Sequence, residues 1–179
     1  YKLMIEKYLK KISSQNFKVI ILRYPNIIGS SQKSDLGEKN FFITRIIPSF
    51  YKNIIKNKNN ILFYDFYKKS FPKRNYMHVE DIAEINVKIL QNLKKFKKSY
   101  NVFNINNQKQ YSNYEVLKVI SKMMKKKPKY LLKQIDKKES MSQYYKSKDN
   151  LKKYIKINIK YKNLEEMLKT NIKWLKKIY

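Results

Sequence analysis

The 179-residue chain contains no cysteine, which excludes disulfides and thiolate metal sites. It has one histidine, His78, with no Ser, Cys or metal-ligand partner at a recognisable spacing. That residue reads as a packed, hydrogen-bonded side chain at a helix start, and no metal site is expected. Glycine is limited to Gly29 and Gly37. No uncharged apolar run approaches the roughly 20 residues that a membrane helix needs. No charged head followed by an apolar stretch and a small-residue cleavage site opens the chain. A soluble, cytoplasmic protein without a membrane partner is the expectation.

Arginine is scarce too. Of the 42 basic residues only Arg23, Arg45 and Arg74 are arginines, the rest being lysines set against 13 acids, for a formal charge of +29. Such a charge usually signals nucleic acid or an anionic surface. Base recognition favours arginine forks in a focused patch, and single-strand binding wants aromatics along one groove. Here the lysines are scattered through every segment, amid abundant Ile, Asn, Tyr and Phe, the residues of AT-rich codons. They read as a solvated surface, and no nucleic-acid partner is expected. The first residue is Tyr, and the opening helical pattern has no capping residue. A fragment lacking its true N-terminus is the expectation.

Met4, Ile5, Tyr8, Leu9 and Ile12 recur at helical spacing and predict a helix over 1–13, closed by Ser13-Ser-Gln-Asn16. Phe17 to Tyr24 is a short apolar run with β-branched residues, predicting a buried strand of a parallel sheet. Pro25 and Asn26 stop that strand where a crevice would open, since ligands of open α/β sheets sit beyond the carboxyl ends of the strands. Residues 30–40 read as a loop. A helix is entered near Thr44, with Pro48 in its first turn. Ile61 to Tyr64 predicts a strand, and a polar loop runs on through Arg74. An amphipathic helix follows over Val79 to Leu93, with Ile82, Ile85, Ile89 and Leu93 on one face. Val102 to Ile105 is a strand candidate. Ser112 with Glu115 forms a capping box for a helix over 113–125. Residues 129–133 suit an edge strand. Asn163-Leu-Glu-Glu starts the last helix, with Glu165 and Glu166 at the positive end of its dipole.

Several segments, in order, resemble the UDP-glucose 4-epimerases, extended short-chain dehydrogenase/reductases acting on nucleotide sugars. Lys2-Leu-Met-Ile-Glu-Lys-Tyr-Leu9 resembles SKLMIExxL, Leu22-Arg-Tyr-Pro-Asn-Ile-Ile-Gly29 resembles LRYFNxxGA, and Gly37-Glu38 matches a GE pair. Arg74-Asn-Tyr-Met-His-Val-Glu-Asp-Ile-Ala83 is similar to RDYIHVxDLA. Tyr100-Asn-Val-Phe-Asn104 with Tyr111-Ser112 is similar to YNVFNLGxGxGYS. The resemblance spans nearly the whole chain but only the later part of the family's sequence. With two glycines, the chain cannot hide a G-x-x-G-x-x-G dinucleotide fingerprint.

The resemblance implies an α/β fold: the end of a Rossmann-type parallel sheet plus a small α/β substrate-binding domain. Residues 1–29 would close the NAD-binding domain. Residues 30–179 would form mainly the sugar-nucleotide domain, returning a strand and helix to the Rossmann part near 76–105. It implies interconversion of UDP-galactose and UDP-glucose, with NAD as cofactor, a UDP-sugar as substrate and a homodimer at full length. In that family a Tyr and a Lys four residues apart share a helix face, so that the ammonium lowers the phenol from its usual pKa of about 10. Lys2 matches the lysine, which also binds the nicotinamide ribose. The tyrosine would lie three positions before Tyr1, so catalysis by this chain alone is not expected.

Other matched positions are Pro25, in place of a Phe lying against the nicotinamide, and Asn26, which would contact substrate. Arg74 would grip the diphosphate with a planar fork that an ammonium lacks. Lys138 and Met141 stand where the family shows R-x-G-D, so charge is kept but the fork and the carboxylate are lost. Tyr145 would contact the nucleotide. By register from Pro48, Arg45 and Ile46 would line the substrate, and Ile61, Leu62 and Phe63 would meet the uracil. Three rival readings remain at this level: a related nucleotide-sugar dehydratase or decarboxylase, a degenerate binding protein, and a basic nucleic-acid binder.

Overall fold

The computed structural model describes residues 1–39, 45–106, 109–135 and 151–179. Helix α1 (Lys2–Ile12) leads into strand β1 (Val19–Arg23). The chain leaves β1 at Tyr24-Pro25, as the sequence predicts. It does not then turn away, because Asn26–Ile28 forms a second short strand, β2, in another sheet. Helix α2 (Ile46–Ile55) holds Pro48 in its first turn, where no backbone donor is lost. Strands β3 (Asn60–Tyr64) and β4 (Lys73–His78) follow, then α3 (Val79–Gln91) and β5 (Tyr100–Asn104). The predicted loop through Arg74 is corrected: Arg74 sits inside β4. Strand β6 (Gln110–Ser112), too short to carry a pattern, precedes α4 (Asn113–Met123), and β7 (Tyr130–Gln134) and α5 (Leu164–Ile178) complete the order.

Among the described residues three small sheets form. Strand β1 pairs in parallel with β5, from Val19 opposite Tyr100 to Arg23 opposite Asn104. Strand β2 pairs in parallel with β4, Asn26 facing Tyr76, and β6 pairs antiparallel on the other side of β4. Strand β3 pairs in parallel with β7. Parallel pairing explains the continuous apolar runs, since helices cover such strands.

Two cores result. In one, Ile47, Phe50 and Ile54 of α2, Val116, Leu117 and Ile120 of α4, and Met167, Leu168 and Leu175 of α5 enclose Leu62 of β3. In the other, Ile82, Ile85 and Ile89 of α3 pack on Phe96, Phe103, Leu151 and Ile155. Each fully buried side chain of this size contributes about 1.5–3 kcal/mol.

Local chemistry sets the helix starts. Ser112 accepts the Glu115 N–H at 3.1 Å while the Glu115 carboxylate takes the Ser112 N–H at 2.7 Å, a reciprocal cap. The Asn163 side chain accepts the Glu166 N–H at 2.9 Å. At α3 the cap is His78, whose Nδ1 accepts the Glu80 N–H at 3.2 Å. Helix α1 has no side-chain cap and no buried residue. No described helix is long and apolar enough to cross a membrane.

Candidate functional site

Beyond the carboxyl ends of β1 and β5 the chain opens into a cleft of about 840 Å³, where ligands of open α/β sheets are bound. Arg23, Tyr24 and Pro25 leave β1 along one wall, and Asn104, Ile105 and Asn106 leave β5 along another. Lys2 and Glu6 come from α1, Asn26 and Ile27 from β2, and Arg74 and Asn75 from β4. Arg45, at the start of α2, completes it.

All three arginines of the chain therefore line one cleft, with Lys2 and a single acid, Glu6. Arg23 occupies that acid with a two-point bond, Nε to Oε1 at 3.0 Å and Nη2 to Oε2 at 2.5 Å. The fork holds the Glu6 carboxyl below its usual pKa. The Arg74 Nη1 donates to the Lys73 carbonyl at 2.9 Å. The amides of Asn26, Asn75, Asn104 and Asn106 add uncharged donors and acceptors. The buried Asn104 Oδ1 has no hydrogen-bond partner among the described residues. Cations flanked by amides suit a phosphate-bearing polyhydroxyl ligand, because the arginine fork matches phosphate geometry and the amides match hydroxyls.

A second cavity, of about 930 Å³, adjoins the first through Asn26, Ile27 and Arg45. Its lining is more apolar: Ile28, Leu36, Ile46, Ile47, Pro48, Val79 and Ala83, with Glu38 and Glu80 as its acids. The Arg45 Nε donates to Glu38 Oε1 at 2.7 Å. The guanidinium thus stands between the two spaces, held on one side.

Beneath the second cavity lies a buried polar cluster. The His78 ring is fully buried and stacks on Tyr161 with centroids 3.5 Å apart. Its Nε2 lies 2.7 Å from Thr170 Oγ1. Since Nδ1 accepts the Glu80 N–H, the proton of the neutral ring sits on Nε2 and is donated to Thr170. Burial lowers the His78 pKa to about 4. Asp81 receives the N–H groups of Lys160 at 2.9 Å and Tyr161 at 3.2 Å, yet burial still pushes its carboxyl up. Burial works the same way on Glu80, but hydrogen bonds from Tyr161 Oη and the Gln32 N–H outweigh it, leaving that carboxyl below its usual range. The Tyr161 phenol is pushed upward by burial and by Glu80.

The structure thus gathers Lys2, Pro25, Asn26, Arg45 and Arg74 into one cleft and puts Ile46 in the adjoining cavity. Ile61, Leu62 and Phe63 lie on β3 and line neither space, and Leu62 is fully buried in the core. Lys138 and Tyr145 fall outside the described residues.

Residues 1–105 match the model of the NAD dependent epimerase/dehydratase family. The chain belongs to that family. The matched stretch carries every described residue of the basic cleft except Asn106. A UDP-glucose 4-epimerase from Lactobacillus helveticus is 32% identical over 126 residues, 68% of this chain and 38% of that protein. The solved UDP-glucose 4-epimerase of Stenotrophomonas maltophila, with bound NAD and formylated UDP-arabinopyranose, shares the fold at a TM-score of 0.84 and 18% identity. It covers 99% of this chain and 54% of its own. That of Bifidobacterium longum, in complex with NAD+ and UDP, gives a TM-score of 0.82 at 20% identity, over 98% of this chain and 52% of its own. The chain therefore spans about half the length of the solved epimerases it matches. The α/β fold with parallel strand pairs is the fold of these relatives.

Several residues of this epimerase-family site escape a sequence reading. Glu6 and Arg23 read as parts of motifs, and only the structure joins them at the cleft. Thr170 and Asn171 look like two polar residues of an amphipathic helix. Their one signal is position, since they interrupt the run from Met167 and Leu168 to Ile172 on the buried face.

Proposed function

We propose that this chain is the C-terminal portion of a UDP-glucose 4-epimerase, interconverting UDP-galactose and UDP-glucose through transient NAD-dependent oxidation at C4. The observation that carries this reading is the convergence of Arg23, Arg45, Arg74 and Lys2 on one cleft at the carboxyl ends of a parallel strand pair. On this reading residues 1–29, with the strand and helix near 76–105, close the cofactor domain, and the remainder of 30–179 holds the sugar nucleotide. The in-register pairing of β1 with β5 supports that division.

Arg74 would grip the diphosphate, with Asn26 on the sugar and Arg45 and Ile46 along the substrate wall. Lys138 and Tyr145 would serve the nucleotide, and the β3 residues Ile61, Leu62 and Phe63, which line neither space, take no part in this assignment. The cleft offers groups that fit NAD: Lys2 as a donor to ribose hydroxyls, Pro25 as an apolar surface and Asn104 Oδ1 as an unpartnered acceptor. When bound, NAD supplies reversible hydride transfer at C4. Lys2 would favour the deprotonated form of a tyrosine one helical turn before it. Tyr1, fully exposed and adjacent to Lys2, faces elsewhere and does not replace it. The exposed stripe of Met4, Ile5 and Tyr8 on α1 supports a homodimer at full length.

Calorimetric titration with UDP and ADP at two salt concentrations tests the reading. The expected result is a preference for UDP that persists in salt. Binding without nucleotide preference that collapses with salt would instead mark a lysine-driven polyanion surface. Supplied with UDP-galactose and NAD, the 179-residue chain alone is expected to turn nothing over. Measurable epimerisation would overturn the proposal that the catalytic tyrosine lies outside it.

A further inference from the structure

Strand β2 carries Asn26 at one end and runs into Gly29 and Ser30 at the other. Strand β4 pairs along it, and the C-terminal helix α5 pins the turn that follows. The Gly29 N–H donates to Asn171 Oδ1 at 2.8 Å, and the Ser30 N–H donates to Thr170 Oγ1 at 3.1 Å. Ser30 Oγ donates to the Thr170 carbonyl at 2.8 Å. Thr170 Oγ1 in turn receives the His78 Nε2 proton at 2.7 Å and lies 3.3 Å from the Met167 carbonyl, to which its own proton points. Each of these groups is buried or half-buried, and each donor meets an acceptor, so none can be withdrawn without leaving a buried polar atom unpaired.

We propose that His78, Thr170 and Asn171 are positioning residues that fix β2 in register for the sugar. They act through Gly29 and Ser30 on the strand that presents Asn26. This rests on the reading that Asn26 faces the sugar of a bound nucleotide. Three features set the cluster apart from ordinary core packing. It joins the two ends of the chain across about 140 residues, as the Ser30 to Thr170 bonds show. It touches the second cavity directly through Gly29, Ser30 and Asn171. It also commits polar groups to a place where apolar residues would pack at no desolvation cost. A strand of three residues has too few ladder bonds to hold its own register, so anchoring its far end decides where the near end lies.

The test separates the sugar from the nucleotide. Affinities of the 179-residue chain for UDP and for UDP-galactose are measured calorimetrically in the wild type and in Thr170→Val, Thr170→Ser and Asn171→Leu. The expected result is that Thr170→Val and Asn171→Leu keep UDP affinity within about twofold but lower UDP-galactose affinity by about fivefold or more, with Thr170→Ser restoring it. Should Thr170→Val fail to fold, Asn171→Leu and Thr170→Ser carry the same comparison. Equal ratios of the two affinities in wild type and variants, with only the melting temperature lowered, would show a purely structural cluster and overturn the proposal. A wild type that binds UDP but gains nothing from the sugar would overturn it as well. A wild type that binds neither ligand would overturn the functional reading beneath it.

Discussion

The ring of His78 fills the space into which a side chain on Gly29 would project. A Cβ built there meets His78 Cδ2 and Nε2 at 2.3 Å, and the Gly29 backbone has φ +98°. Two independent penalties, positive φ and a clash with a ring locked between Tyr161 and Thr170, fall on one position. Gly29→Ala is expected to lower stability by roughly 2–4 kcal/mol, read from urea denaturation. Gly37, whose Cβ would lie 2.5 Å from the Trp174 ring, carries the steric penalty without the positive φ, so Gly37→Ala should cost less.

The depressed pKa of His78 predicts a pH dependence. Unfolded, the imidazole protonates near its ordinary value of 6.5, whereas folded it holds out to about 4. Between those values the unfolded state binds more protons, so stability from this group is fully present above about 6.5 and is lost as pH falls toward 4. The ring faces Glu80 and Tyr161, with Lys160 and Asp81 beside it. The lowered carboxyls of Glu6 and Glu80 add their own loss as pH falls below the usual glutamate value of 4.5, and that of Asp35 below the usual aspartate value of 3.8. Thermal melts of His78→Asn should show a flatter profile between pH 4 and 6.5 than the wild type, with the carboxylate limb intact.

Arg74 tests the phosphate reading. Arg74→Lys keeps the charge but loses the planar fork, and UDP affinity should fall about tenfold, with a larger loss in Arg74→Ala. Equal affinities in calorimetry for all three proteins would place the diphosphate elsewhere.

The capping box at α4 can be tested without touching the cleft. Ser112→Ala removes the acceptor of the Glu115 N–H and should cost about 1 kcal/mol in denaturant unfolding. UDP binding should be unchanged.

At the centre of the larger core, Leu168 is fully buried. Leu168→Ala should destabilise by about 2–5 kcal/mol, the combined loss of transfer energy and contacts around the cavity. Chemical denaturation that moves by less than about 1 kcal/mol would mean that α5 is not seated as described.

Most helices were legible in the sequence, because each buries one face and that face repeats every 3.6 residues. Val79 to Gln91, Asn113 to Met123 and Leu164 to Ile178 all start within a residue or so of where cap and pattern put them. Strands β1, β3, β5 and β7 were visible as short apolar runs. Strands β2 and β6, three residues each, carry no period, and Arg74 reads as a loop because its neighbours are polar, although pairing with Tyr111 of β6 makes it part of a strand.

What the sequence determined by itself is the inventory: helix faces, caps, a motif series shared with one family, and three arginines too rare to be background. The tertiary structure decided their meeting. It put all three arginines and Lys2 in one cleft, and it left Ile61, Leu62 and Phe63 away from it. It also laid Thr170 and Asn171 against Gly29 and Ser30, some 140 residues distant. Local pattern reflects which face of an element is buried, but which elements share that burial depends on chain topology. No period of 2 or 3.6 residues encodes a contact between the two ends of the chain.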